Sequence, residues 1–84
     1  MLLMQHETFS IEDIYVPVKR RATLDPAAVT AIAESMLEEG QRTPIQVRRD
    51  GERLVLIEGL HRLEACRSLG EDTIVGIVVQ ARRR

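Results

Sequence analysis

Three residues in the second half of the chain have the types and the spacing to bind an anion. Gly59, His61 and Arg62 follow the strand-like residues 54–57 and begin a helical pattern. A glycine lets the backbone turn sharply, and the first turn of a helix presents unpaired N–H groups and the positive end of the helix dipole. His61 adds a hydrogen-bond donor, and the guanidinium of Arg62 is a fork that suits phosphate oxygens. These residues predict a phosphate-binding site.

Arg62 also has a structural interpretation. At about 100° per residue, it falls within the apolar arc of the helix that begins at Leu60. An arginine there has to leave the packed face or meet a negative charge, because burying it unpaired is costly. A bound anion would supply that charge, and so would the carboxylate of Glu58 or Glu38. Wheel geometry leaves both alternatives open.

Candidate catalytic groups are few. Glu58 and Glu64 are weak candidates for a general base. Glu64, three positions after His61, is better explained as a residue of the helix surface. Cys66 lies on the packing face of the same helix, where a cysteine is most simply a small buried hydrophobic residue. No group of cysteines and histidines has the spacing of metal ligands.

The composition indicates one small domain over residues 1–84. Hydrophobic residues make up 44% and charged residues 30%, values ordinary for a globular protein, and the formal net charge is -1. This balance excludes a generally basic surface, so nucleic-acid binding would need a local cluster of positive charge. With Cys66 as the only cysteine no internal disulfide can form, which fits a reducing cytoplasm. No stretch has the length of a signal peptide or a membrane span.

Apolar periodicity and turn residues predict the elements that position the site. Asp25 and Pro26 are a strong helix start, and Gly40 ends that helix. Its apolar stripe, which we expect to face a core, consists of Val29, Ile32, Ala33, Met36 and Leu37. In chain order we expect an extended segment over 8–17 with a tight turn at 10–13, then a basic loop at 19–21 and the helix from 25 to 40. The second half should contain strands over 45–49 and 54–57, a helix over 60–69 and a last strand over 73–80.

Particular residues refine this scheme. Phe9, Ile11 and Ile14 reach the core if residues 10–13 form the turn. The pair Asp50-Gly51 predicts a tight hairpin turn with positive φ at both central residues. Gly76 indicates a bulge or the close approach of another segment. We expect a core over about 9–79 and a basic tail over 80–84.

Taken in order, these elements resemble the amino-terminal domain of the ParB family, a fold shared with sulfiredoxin. The resemblance rests on three blocks: AESMLEEG at 33–40, PIQVR at 44–48 and GLHRLEA at 59–65. It covers roughly residues 9–79. It implies an α+β fold, a small mixed β-sheet with two main helices packed on it.

The resemblance also implies a ligand, a nucleoside triphosphate with Mg²⁺, because the partition proteins bind CTP and sulfiredoxin binds ATP. By position, the phosphates would contact the backbone around Gly59 and Leu60 and the side chains of His61 and Arg62. The segments that would close over the nucleotide carry Arg20 and Arg21 in the basic loop and Gln41, Arg42 and Thr43 in the connector before the third strand.

One position departs from both relatives. Leu60 stands where sulfiredoxin has its catalytic cysteine and where the partition proteins have a glutamate linked to hydrolysis. The resemblance therefore implies binding better than turnover. The partition proteins continue into a helix-turn-helix domain and a dimerisation domain, so we expect a stand-alone relative or an excised domain.

Several functions stay open at this point. The first is a nucleotide-binding switch of a partition, plasmid or phage-related system, with a homodimer as a candidate assembly. The second is a DNA-binding or DNA-cleaving domain that contacts phosphates through Arg48, Arg49, Arg53 and the arginines at 82–84, or reaches DNA through a partner or a missing domain. The third is phosphoryl transfer with Glu58 or Glu64 as base. The last is a purely structural role, in which Arg62 forms a salt bridge with Glu58 and Gly59 only turns the chain.

Overall fold

The computed structural model describes residues 5–80, so the basic tail predicted over 80–84 lies outside it except for Gln80. The elements within that range agree closely with the predicted order. They are β1 (Glu7–Ser10), a 3-10 turn (Ile11–Asp13), β2 (Ile14–Tyr15), α1 (Val18–Arg21), α2 (Pro26–Glu39), β3 (Ile45–Asp50), β4 (Arg53–Glu58), α3 (Leu60–Ser68) and β5 (Thr73–Val78).

The strands form one mixed sheet in the order β1-β5-β3-β4-β2. The β3–β4 hairpin and the β1–β5 pair are antiparallel, whereas β5 joins β3 and β2 joins β4 in parallel. Strand β5 reaches its place between β1 and β3 after the chain has passed through α3, because parallel neighbours need a crossover connection. The predicted α+β class is confirmed.

The core is aliphatic and lies between the sheet and α3. Its largest fully buried side chains are Ile45, Val47, Leu56, Leu63 and Ile74. Helix α3 contributes Leu63 among these and contacts both β3 and β5. The start of the chain closes one side of this core, as predicted, with the buried residues Phe9, Ile11 and Ile14.

Helix α2 packs chiefly on α3. Its predicted start is confirmed, since Asp25 caps it by accepting a hydrogen bond from the Ala27 N–H at 3.1 Å and Pro26 follows as the first helical residue. None of its residues is fully buried. The prediction that Leu37 faces a core is wrong: its side chain is 73% exposed, because it lies about 100° around the helix from Met36. No helix among residues 5–80 has the length and apolar character needed to cross a membrane.

Two local predictions need correction. The basic run at 19–21 is not a loop but most of the one-turn helix α1. In the β3–β4 hairpin Asp50 pairs with Arg53, so the central turn residues are Gly51 and Glu52. Of these only Gly51 has positive φ, +65°, because a turn with glycine first places the unusual φ at that residue.

The side chain of Gln41 acts as an extra strand partner for β5. Its amide accepts a hydrogen bond from the Val75 N–H at 2.9 Å and donates to the Val75 carbonyl at 2.8 Å. The side-chain nitrogen of Gln41, Nε2, which donates to Val75, also donates to the Thr43 carbonyl at 3.0 Å. These bonds fix the connector between α2 and β3 against the sheet.

We predict that Gln41→Ala lowers the free energy of unfolding by about 1–3 kcal/mol, because it leaves partly buried backbone groups of Val75 unpaired. Urea unfolding followed by circular dichroism measures the change. Gln41→Glu should recover only part of the loss, since a carboxylate accepts from the Val75 N–H but cannot donate to the carbonyls. The matched control is Gln80→Ala at an exposed position; equal stability of the two alanine variants would contradict the assignment.

Candidate functional site

Gly59 determines how α3 begins. Its backbone has φ 108° and ψ 29°, and a Cβ at this position would lie 2.7 Å from Ile45 Cγ2, closer than such atoms approach each other. The Gly59 carbonyl accepts the first helical hydrogen bond from the Leu63 N–H at 2.8 Å. Only glycine therefore allows the chain to leave β4 and start the helix directly over the buried β3 residue.

The start of α3 presents backbone amides that have no partner within the helix. The amides of Leu60, His61 and Arg62 precede the first residue that donates within the helix, so they have no intrahelical acceptor. The first turn also carries no acidic residue to offset the helix dipole. The free amides on which the predicted anion site depends are thus present at this helix start.

A cleft of about 310 Å³ opens at this helix start. It brings together the predicted residues Arg20, Gly59, Leu60, His61 and Arg62, although Arg20 is far from the others in sequence. It also contains Glu58, which the sequence indicated as a candidate base. Sequence reasoning missed Thr23 and Ile32 as walls of the cleft, because neither belongs to the glycine motif or to the basic run. The complete lining consists of Arg20, Thr23, Ile32, Glu58, Gly59, Leu60, His61 and Arg62.

The two arginines of the cleft form no ion pair with an acidic side chain within the described part of the chain. Among residues 5–80, ion pairs form at Arg42, Arg49, Arg53 and Arg67, and neither Arg20 nor Arg62 takes part in one. The structural alternative for Arg62, a bridge to Glu58 or Glu38, is therefore absent from the geometry. Arg62 is half-buried at the edge of the cleft, where a bound anion could approach it.

His61 connects the cleft to α2. The backbone N–H of Asp25 donates to His61 Nε2 at 3.0 Å. A ring nitrogen that accepts carries no proton, so this bond assigns the proton of a neutral imidazole to Nδ1. The ring is half-buried between the two helices, and Nδ1–H remains as a donor.

The two carboxylates considered as bases lie in different surroundings. Glu58 is the only carboxylate among the described residues that line the cleft. Glu64 instead forms an ion pair with Arg67 at 3.5 Å and lines a neighbouring cavity of about 330 Å³ that also contains Arg21. Leu60 forms part of the wall of both cavities.

The connector residues do not line this cleft. Gln41 is engaged with the backbone of Val75, Arg42 forms an ion pair with Glu39 at 3.2 Å, and Thr43 is exposed. Their predicted contact with a nucleotide would need the connector to move, and the Gln41 hydrogen bonds oppose that movement.

Cys66 is buried on the opposite side of α3 from the solvent. Burial raises the pKa of its thiol, the charge of Glu71 raises it further, and the charge of Arg62 lowers it only in part. A thiol in this state is a poor nucleophile, because the reactive species is the thiolate.

Comparisons with known proteins agree with this fold. A family model described as ParB N-terminal domain matches residues 4–84. Among solved structures, sulfiredoxin from Arabidopsis thaliana is 26% identical with a TM-score of 0.82, over 92% of this chain and 86% of that one. A search of curated proteins found no match.

Two further structures share the fold at lower identity. The C-terminally truncated chromosome-partitioning protein ParB from Caulobacter crescentus, complexed with CTP-gamma-S, is 22% identical with a TM-score of 0.78, over 93% of this chain. A free serine kinase in complex with AMP is 16% identical with a TM-score of 0.79, over 90% of this chain. This chain spans 46% of the first structure and 31% of the second.

We predict that Gly59→Ala destabilises the fold more than Gly70→Ala. Both positions have positive φ, which costs an alanine about 1–2 kcal/mol, but only at Gly59 does a Cβ meet another atom within 4 Å. The collision with Ile45 should add about 1–3 kcal/mol. Thermal or urea unfolding of both variants measures the difference, and equal losses would show that Ile45 does not restrict this turn.

We predict that Cys66 in the native protein reacts with iodoacetamide about 100-fold more slowly than in urea, because reaction needs local opening. Because the pKa of the Cys66 thiol is raised, the alkylation rate of the native protein should increase at a higher pH than that of the unfolded chain, whose thiol has a pKa of about 8.5. Mass spectrometry follows the modification. Rapid native alkylation at neutral pH would contradict a buried, protonated thiol.

Proposed function

The chain belongs to the ParB N-terminal domain family, and on this basis we propose that it is a nucleotide-binding module whose cleft at the start of α3 binds the phosphates of a nucleoside triphosphate with Mg²⁺. The observation that carries the proposal is that Arg20 and Arg62 line the cleft without an acidic partner among residues 5–80. Relatives of the same fold that hold CTP-gamma-S or AMP support the ligand class.

Each part of the cleft has a role in this proposal. The amides at the start of α3 donate to phosphate oxygens, and the Arg62 guanidinium adds two parallel hydrogen bonds. Arg20 supplies positive charge from α1. Mg²⁺ retains waters and binds mainly phosphate oxygens, so the single carboxylate of Glu58 would suffice as the contribution of the protein.

We propose binding with weak or no hydrolysis. Leu60 is only 7% exposed and carries no functional group, so the helix start offers neither a nucleophile nor a base at that position. Glu58 is the remaining candidate base within the cleft. Glu64 is a weaker candidate, because it lies in the neighbouring cavity and pairs with Arg67.

The proposed biological role is that of a switch in a partition, plasmid or phage-related system of the cytoplasm. Lys19, Arg20 and Arg21 are consecutive residues of α1, so their side chains point in different directions, but their positive charges still repel one another weakly within this one-turn helix. Bound phosphates would reduce this repulsion and stabilise α1, which could then form part of a homodimer surface. DNA would be reached through a partner or a further domain.

Direct DNA binding by the strand arginines is the runner-up and gains less support. Arg49 lies 3.8 Å from Glu7, and Arg53 lies 3.3 Å from Asp50 while stacking on the Tyr15 ring at 4.5 Å from its centroid. Acidic neighbours offset the charge of Arg49 and Arg53, so that Arg48 is the one strand arginine among residues 5–80 without an ion pair to reduce its attraction for a phosphate backbone.

We predict that Arg62→Ala weakens nucleotide affinity about 10- to 100-fold, because charge-assisted hydrogen bonds contribute about 1.5–3 kcal/mol. Isothermal titration calorimetry with CTP, ATP, GTP and their diphosphates, each with and without Mg²⁺, measures the affinities and identifies the base. Arg62→Lys should be intermediate, since it retains the charge but loses the planar fork.

The matched control is Arg49→Ala, which removes the same charge from an exposed strand position. It should bind nucleotide nearly as the unmodified protein does, with a modest change that disappears at higher salt. Equal losses in the two variants would indicate a nonspecific charge effect, and no binding of any nucleotide would contradict the proposal outright.

A further inference from the structure

The segment that carries the basic residues of the cleft has very little packing of its own. Residues 18–25 comprise α1 and the link to α2, and every side chain among them is exposed. The apolar contact of the segment is limited to Leu24, which is 38% exposed and lines a cavity with Val16 and Leu60. Hydrogen bonds therefore contribute much of what holds the rest of the segment in place.

Nearly all of those hydrogen bonds are local. The amides of residues 20–24 donate to carbonyls of residues 17–21, and the Thr23 hydroxyl donates to the Arg20 carbonyl. Within the described range 5–80, one hydrogen bond joins residues 18–25 to an element outside α1 and α2. It is the bond from the Asp25 N–H to His61 Nε2 in α3.

We propose that His61 is a positioning residue: through Nε2 it holds the Asp25 N–H and so keeps Arg20 and the rest of segment 18–25 at the anion cleft. The effect on ligand affinity rests on the proposed function, whereas the effect on the segment itself does not. His61 thus acts on the ligand chiefly through Arg20.

The sequence of α2 explains why this acceptor comes from another helix. The N–H of a capping residue is often accepted by a glutamate or glutamine at the third helical position. Here that position is Ala28, which has no acceptor. His61 supplies the acceptor instead, because its imidazole reaches the Asp25 N–H from the start of α3.

The same geometry couples the segment to the cleft. Arg20 and Thr23 line the cleft together with His61. A ligand that contacts Arg20 favours the placed segment, and by linkage the bond that places the segment favours the ligand by the same factor. We therefore expect non-additive effects on ligand affinity when the Asp25–His61 bond is weakened and the Arg20 charge is removed in the same protein.

Two substitutions separate positioning from direct phosphate binding. In His61→Gln the side-chain oxygen reaches about as far as Nε2 and can accept from the Asp25 amide, but it carries no charge. In His61→Lys the side chain is a cation with no acceptor. Positioning predicts that Gln restores the behaviour of the natural residue and Lys does not, whereas a contact made by the positive charge of His61 predicts the reverse. A contact of the neutral Nδ1–H with phosphate is separated from positioning by the measurement without ligand, which only loss of the Asp25 bond changes.

The first arm of the experiment uses the whole chain without ligand. Amide hydrogen exchange by NMR should show Asp25 exchanging about 3- to 10-fold faster in His61→Leu and His61→Lys, and little changed in His61→Gln. The control is His6→Leu at the other, exposed histidine. Unchanged exchange in His61→Leu would overturn the proposal whether or not a nucleotide binds.

A measurement on the natural sequence covers the case in which a variant fails to fold. Nitrogen chemical shifts of the His61 ring report which nitrogen is protonated, and a coupling across the Asp25 N–H···Nε2 bond reports the bond itself. The proposal expects an unprotonated Nε2 with this coupling. A protonated Nε2, or no coupling, would overturn it.

The second arm measures affinity for inorganic tripolyphosphate and CTP in a double-mutant cycle. If His61 acts through Arg20, His61→Leu and Arg20→Ala each weaken binding by a similar factor, and the double variant is little worse than either. Fully additive losses would overturn this coupling. If neither probe binds even the natural sequence, the function proposed above fails and the first arm alone decides the role of His61.

Discussion

The close approach of Gly59 to Ile45 is the constraint on which the rest of the site depends. Ile45 is completely buried at the start of β3, and the turn from β4 into α3 passes directly over it with only a hydrogen atom where another residue has a side chain. This contact fixes the direction of α3 relative to the sheet. It therefore determines where the free amides of the first helical turn point and which side chains meet around them.

The elements around the start of α3 differ in how firmly they are packed. The core secures α3 through Leu63, whereas α2 and α1 are attached to the outside of α3 with little burial of their own. A well-packed helix start, the proposed anion site, thus faces a lightly packed basic segment across the cleft. Such a division between a well-packed half and a lightly held half is common where ligand binding changes a local equilibrium.

Much of the fold could be predicted from the sequence, because the signals were local. The cap at Asp25 and the glycine at 59 are read from neighbouring residues. The error at Leu37 arose because tertiary contacts decide: this residue satisfies the helical period but faces solvent. The hydrogen bonds between Gln41 and Val75 could not be predicted either, because they depend on how the connector lies on the sheet. For the same reason Thr23, Ile32 and the Asp25–His61 bond had no sequence signal, since only the packing of α2 on α3 brings them to the cleft.

The most direct test of the central claim is an NMR titration of the ¹⁵N-labelled protein with a nucleoside triphosphate and Mg²⁺. An anion held by the start of α3 should shift the amides of Leu60, His61 and Arg62 most strongly, followed by Arg20 and Thr23 across the cleft. The strand residues Arg48 and Arg49 should change little. Shifts centred on the strands, or none at saturating ligand, would contradict a phosphate site at this helix.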